Sequence, residues 1–380
     1  MIAQADFVVI GAGIAGASLA YELSKTASVV LVEREHQPGY HSTGRSAAVF
    51  TEIYGNAAIR ALTVASGPFF ANPPAGFSDY PLWSPRPLIM VARNDQRAEL
   101  QALYDQAVLL VPTLRMLDAA EVLQRAPMLR ADYVDGGLLE EMSSDLDVHA
   151  IHSGFLRGAR SRKARVVQNA DVVGLARNRG GDWTVDTSAG SIGAGAVVNA
   201  AGAWVDEIAG LAGAAPIGLV PKRRSAFTFT FSPPQQVDGW PTIIDISEEF
   251  YFKPEAGKLL GSPADETPSA PCDAQPEEID IAIAIDRIGQ AADFAVQTVD
   301  RKWAGLRSFV SDKTPVVGYD DEVEGFFWLA AQGGYGIQTS PALARAAAAL
   351  VSGASMPDDI AALGVDGATL SPARLRNGRA

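Results

Sequence analysis

The chain has 380 residues, 48 % of them hydrophobic, which is material for two domains or for one large domain with an insertion. Its net charge of −13, with no basic block, makes nucleic acid and anionic membrane surfaces poor partners, while a small anionic ligand needs only a local basic pocket. The one cysteine, Cys272, rules out an intrachain disulfide and fits a reducing compartment, so a cytoplasmic location is expected, with peripheral contact at the inner membrane left open.

The N-terminus enters FVVIGAGIAG at once. Glycines interrupt the apolar stretch, and it ends at Tyr21-Glu22, so it reads as a strand and a helix; neither a signal peptide nor a membrane span is expected. Residues 7–10 are apolar throughout, as in a buried parallel strand. Gly11, Gly13 and Gly16 follow as G-x-G-x-x-G, and Ala15, Leu19 and Leu23 recur every four residues on one helical face. A second strand is expected over 28–32, with Glu33 at its end. The glycines allow a tight turn, approach of a pyrophosphate to the backbone, and close helix–strand packing. The helix N-terminus then offers free N–H groups to the phosphates. Glu33, twenty residues after Gly13, is placed to accept from ribose hydroxyls, which favours FAD or NAD over NADP.

Residues 41–55, HSTGRSAAVFTEIYG, have neither a helical nor a strand period. Further on, AVVNAAGAW (196–204) is a second strand–glycine–helix element that can return the chain to the nucleotide domain. AFTFTF and PTIIDI, within 216–252, favour strands. SPADETPSAPCDAQPEE (262–278) is a Pro-rich polar loop; IDIAIAI after it can alternate as a strand at its start, while the polar pattern that follows suggests a helix over 277–294. Near the C-terminus a strand over 326–330 meets a glycine-rich turn and an Ala-rich helix, for which Ser340 suits the N-cap, Pro341 the first turn and Gly353 the stop.

GAGIAGASLAYEL with Glu33, then HSTGRSAA, VVNAAGAW, WAGLRSF and AQGGYGIQTSP, together resemble the FAD-dependent amino-acid oxidase family, which holds D-amino-acid oxidase, glycine oxidase and sarcosine oxidase. The resemblance covers most of the chain. GYHSTGRSAA, SPRP, PKRRSAF and WAGLRSFV are most similar to the branch that acts on D-arginine. The family fold implies a discontinuous Rossmann-like FAD domain (1–80, 145–215 and 303–380) and an antiparallel-sheet substrate domain (81–144 and 216–302), an α/β plus α+β arrangement. The family activity implies oxidative deamination of a D-amino acid, with electrons passed on to a quinone or O2. In one branch of the family flavin is attached through a cysteine near the position of Phe309. No cysteine lies there, so FAD is expected to be non-covalent.

The resemblance also assigns residues. Arg307 and Arg224 would clamp the substrate carboxylate, with Arg223 left as the alternative to Arg224. Tyr54 and Tyr251 would flank the substrate, and the Gly334 carbonyl would accept from its amine. Val49, Thr51, Leu88, Thr242, Ile244 and Gln338 would form the side-chain pocket. FAD would lie against Gly11, Gly13, Ile14, Ala15, Gly16, Glu33 and Arg34, then against Ser42, Thr43, Ser46, Ala47 and Ala48, whose hydroxyls can reach phosphates. Val173, Ala201, Gly202, Trp204, Gly305 and Arg307 would continue the site, and Gly333, Gly334, Tyr335, Gly336, Ile337 and Gln338 would close it. The D-arginine branch carries an acid where Leu88 stands and a histidine where Val49 stands. The change implies a preference for neutral or apolar side chains, unless Glu52 or Asp245 points inward. No general base and no metal site is expected, and no G-x-S-x-G elbow supports hydrolysis. An O2-using oxidase of glycine or secondary amines, a hydroxy-acid dehydrogenase and a non-catalytic FAD-binding protein share these motifs and stay open as alternatives.

Overall fold

A computed structural model of the chain describes residues 3–376. The first strand, Ala3–Ile10, lies between Gly190–Asn199 and Val29–Val32, parallel to both. Both of its faces are apolar because both are covered. Val9 packs into a core with helices Ile14–Leu23, Val148–Ser161 and Gly336–Val351, while Val8 and Ile10 pack on the opposite side with helix Val205–Ala212. Phe326–Ala330 joins the same sheet beside Gly190–Asn199, and an antiparallel meander through Val172–Arg177 and Trp183–Thr187, with Arg165–Val167 beside Val29–Val32 and Val316–Tyr319 beside Phe326–Ala330, extends it to eight strands.

A second sheet has nine strands and is antiparallel except where Thr242–Asp245 runs parallel to Leu88–Ala92. Its longest pairing joins Val220–Ser232 to Ala295–Phe309. Phe227, Phe229 and Phe231 alternate onto one face, where helix Glu278–Ala291 covers them in a second core. Arg224 and Ala226, of the opposite parity, line a cavity on the other face. A small third sheet links Val49–Phe50, Ser144–Leu146 and Trp83–Pro85.

The C-terminal helix begins at Gly336, four residues ahead of the expected Ser340 cap. Pro341 therefore sits inside it and cannot donate to the Ile337 carbonyl. The Ser340 hydroxyl donates there instead, at 2.9 Å, which explains how Ser-Pro is tolerated within the helix. Gly353, at φ +71°, does follow the helix end. No helix among the described residues is long and apolar enough to cross a membrane.

Candidate active site

The glycine turn after the first strand is shaped by close contact. Gly11 has φ +98°, and a Cβ there would stand 2.5 Å from the Ala200 carbonyl oxygen. A Cβ on Gly16 would collide with the Gly11 carbonyl, so Gly16 supports the turn from below and lines no cavity. Glu33 accepts from the Ala12 amide at 2.9 Å and the Glu35 amide at 3.0 Å. It thus pins the turn as well as facing the groove, which Arg34, Ala201, Gly202 and Trp204 also line. The Arg34 guanidinium stacks 4.1 Å from the Trp204 ring. Val172 forms the groove wall, whereas the side chain of Val173 is 61 % exposed and points away, as strand alternation requires.

The groove continues into a cavity lined by Gly13, Ile14, Ala15, Ser42, Thr43, Ser46, Ala47, Gly305, Arg307, Gly333, Gly334, Gly336 and Ile337. Residues 42–46 are riveted to strand Ala295–Phe309. The Ser42 hydroxyl donates to the Leu306 carbonyl at 2.6 Å, Arg45 donates to the Ala304 carbonyl, and the Trp303 indole donates back to the Arg45 carbonyl. Thr43 accepts from the Ile14 amide at 3.0 Å and keeps its own proton to donate. Of the hydroxyls expected at a phosphate, that of Ser42 spends its proton on the protein, while Thr43 and Ser46 line the cavity. Tyr335, expected at the cofactor, buries its ring against Ile59 and Phe309 behind the cavity.

A third, smaller cavity opens from the second. Ser46, Ala47, Ala48, Val49, Thr51, Tyr54, Arg224, Thr242, Ile244, Tyr251, Arg307, Gly334, Ile337 and Gln338 line it, together with Glu248 and Ala264. Strand alternation decides between the two neighbouring arginines. Arg223 shares parity with the buried phenylalanines and is consumed by Glu277 and, at 2.9 Å, Asp280. Arg224 faces the other way, opposite Gly305 in the register. It donates to the Asp265 carbonyl at 2.8 Å, and its Nη2, buried, makes no hydrogen bond among the described residues. Arg307 and the Tyr251 hydroxyl likewise have no hydrogen-bond partner among the described residues. The arginine is surrounded by Tyr54, Tyr251 and Glu248, whose potential holds its pKa above the ordinary value against the cost of burial. Glu266 stands 3.8 Å from the Nη2 of Arg224, beyond hydrogen-bond reach. Three donors that share one cavity without a hydrogen-bond partner suit an anion with two oxygens.

Tyr54 donates to Glu248, and burial, followed by the Glu248 charge, pushes its hydroxyl up to about 12, so it stays a neutral donor. Gln338 brackets Thr51, accepting from its amide at 3.3 Å and donating to its carbonyl at 3.2 Å. Leu88 is not on the cavity wall. It is fully buried one layer behind, in the cluster that holds Val49, Tyr54 and Ile244. Neither acid named as its substitute points inward: Glu52 lies toward helix Ala57–Ala71, and Asp245 is buried against Gln96 and Tyr133.

Two acids escaped the sequence reading. Glu248 sits in the turn ISEEF at φ +55°, and nothing in that turn's composition says which of Glu248 and Glu249 faces inward. Glu140 ends an apolar strand and is 1 % exposed. It accepts from the Thr51 hydroxyl at 2.5 Å and the Glu52 amide at 2.6 Å, so it anchors the segment that carries Tyr54. Burial pushes Glu140 up from 4.5 to about 7, and Glu52 is raised for the same reason. A carboxyl whose folded pKa exceeds its unfolded one stabilises fully below the unfolded value and loses that contribution as pH rises through the folded value. Stability should therefore fall by on the order of 3 kcal/mol between pH 4.5 and about 7 from this residue. In Glu140→Gln the amide can still accept from Glu52 and donate to Thr51. Thermal melts across pH 5–8 should show a shallower decline for the variant than for the wild type, and parallel declines would contradict the assignment.

The FAD dependent oxidoreductase family model matches residues 6–350. The chain belongs to that family. FAD is its cofactor, and the open glycine turn, the Thr43 hydroxyl and the backbone of 333–337 fit such a dinucleotide. Among known proteins it is similar to human mitochondrial dimethylglycine dehydrogenase, 24 % identical over 264 residues, which is 68 % of this chain and 30 % of that protein. The chain thus spans less than a third of that relative. In fold it is similar to L-proline dehydrogenase from P. horikoshii (TM-score 0.82, 20 % identity, covering 100 % of this chain and 99 % of that one). It is likewise similar to glycine oxidase from Geobacillus kaustophilus (TM-score 0.81, 20 % identity, covering 95 % and 98 %). As a member of the family, this chain has the mixed α/β fold seen in those structures.

Proposed function

We propose that this FAD-dependent oxidoreductase oxidises D-amino acids with neutral side chains to imino acids, which water converts to 2-oxo acids and ammonia. The observation that carries the reading is the convergence of Arg307, the Nη2 of Arg224 and the Tyr251 hydroxyl, all without hydrogen-bond partners among the described residues, on one cavity beside the cofactor groove. An α-carboxylate satisfies them as a bidentate, charge-assisted partner. FAD, when bound, supplies the two-electron acceptor for the hydride of Cα. The Gly334 carbonyl would accept from the amine and orient its lone pair. Tyr54, held neutral, would donate and not withdraw a proton. The FAD side is proposed to comprise 1–80, 145–215 and 303–380, and the substrate side 81–144 and 216–302. Non-covalent attachment is supported by the place of Cys272, exposed beside Pro271 and Asp273 and outside the cofactor cavity.

The D configuration rests on the resemblance of HSTGRSAA, PKRRSAF and WAGLRSFV to the D-amino-acid branch. The neutral preference is supported by the apolar wall that Val49, Ile244 and Ala264 form in this cavity. With an artificial dye as acceptor, D-enantiomers should yield one 2-oxo acid and one ammonia per two electrons. Turnover confined to L-enantiomers or to secondary amines would overturn the proposal.

A further inference from the structure

We infer that Thr242 sets side-chain specificity, and that the substrate carries a short, uncharged side chain with a hydrogen-bonding group, a hydroxyl or an amide. The inference rests on the amino-acid reading of the site and narrows its substrate class. Thr242 and Ile244 lie on the cavity face of strand Thr242–Asp245, while Ile243 faces the core beneath. The Thr242 side chain is 1 % exposed, and its hydroxyl has no hydrogen-bond partner among the described residues. A buried hydroxyl without a partner is a standing cost, and valine would fill the same space without it. The same cavity holds Glu248, turned inward by its left-handed backbone. One of its oxygens accepts from Tyr54, and the other makes no hydrogen bond among the described residues. The rest of this end of the cavity is apolar: Val49, Ile244 and Ala264.

A ligand hydroxyl can accept from Thr242 and donate to Glu248, satisfying both at once. An anionic side chain would meet Glu248 directly, and a cationic one would lose its hydration against Val49, Ile244 and Ala264 while Glu248 already accepts from Tyr54. The free space, about 70 Å³, is the smallest of the three connected cavities and favours a short chain.

The test uses isosteric pairs on the FAD-loaded full-length protein under anaerobic conditions. D-threonine should exceed D-valine, and D-serine should exceed D-2-aminobutyrate, in kcat/KM by about tenfold or more, because a site built to hydrogen-bond a hydroxyl discriminates against its absence. In Thr242→Val the D-threonine to D-valine ratio should fall toward one and the melting temperature should rise. Thr242→Ser should keep the preference. An unchanged ratio in Thr242→Val, or equal use of each pair by the wild type, overturns this inference while leaving amino-acid oxidation standing. Failure of every D-amino acid to reduce the flavin overturns both.

Discussion

Arg307→Ala should lower kcat/KM for the amino acid by about 10³-fold, almost entirely through KM, with FAD still bound and the fold intact. Truncating one partner of a close, desolvated charge pair costs several kcal/mol. In the proposed reaction the substrate carboxylate would be held alike before and during hydride loss, so the deficit would belong to binding. Stability should change little beside that, because Arg307 makes no hydrogen bond or ion pair among the described residues and the potential of Tyr54, Tyr251 and Glu248 does little more than offset the cost of its burial. Steady-state kinetics, flavin content and a thermal melt together decide the matter. A lower melting temperature with an unchanged KM would make Arg307 structural.

Gly334→Ala should act through the same guanidinium. Its backbone does not need the left-handed region, so alanine imposes no strain of its own. Its Cβ, however, would stand 2.6 Å from Nη1, 2.8 Å from Cζ and 3.0 Å from Nε of Arg307, along the whole head of the side chain. The guanidinium must move by a substantial fraction of an ångström, and misplacement on that scale costs about 10²-fold in kcat/KM. The two substitutions should not add: Gly334→Ala in the Arg307→Ala background should cost little more, because the displaced group is already gone. Additive losses would mean that Gly334 acts on the substrate amine alone.

Much of the cofactor half was legible in the sequence. Continuous apolar strands, the spaced glycines and Glu33 carry local signals, and the fold uses each of them locally. The substrate half was legible only where a period survives. PKRRSAFTFTF contains its own answer to the arginine ambiguity, since Arg223 shares parity with Phe227, Phe229 and Phe231, and Arg224 does not. Leu88 lies in LIMVA, buried on both faces, where no polar residue marks the inward side, so its orientation could not be read and its place on the cavity wall had to be corrected. Glu248 and Glu140 act across sheets, and their partners Tyr54 and Thr51 lie 194 and 89 residues away. The early start of the C-terminal helix was hidden because Ser340-Pro341 has the composition of a helix start, while the Ser340 hydroxyl repairs the bond that Pro341 breaks.

The proposed function has Arg224, Arg307 and Tyr251 bind the carboxylate of a D-amino acid beside FAD. It is tested most directly by mixing the FAD-loaded protein, without oxygen, with each enantiomer of a neutral amino acid and following the flavin absorbance near 450 nm. The account predicts bleaching by the D-enantiomer, with the L-enantiomer inert and Arg307→Ala needing far higher concentrations of the D-form. Bleaching by the L-enantiomer alone, or by neither, would contradict it.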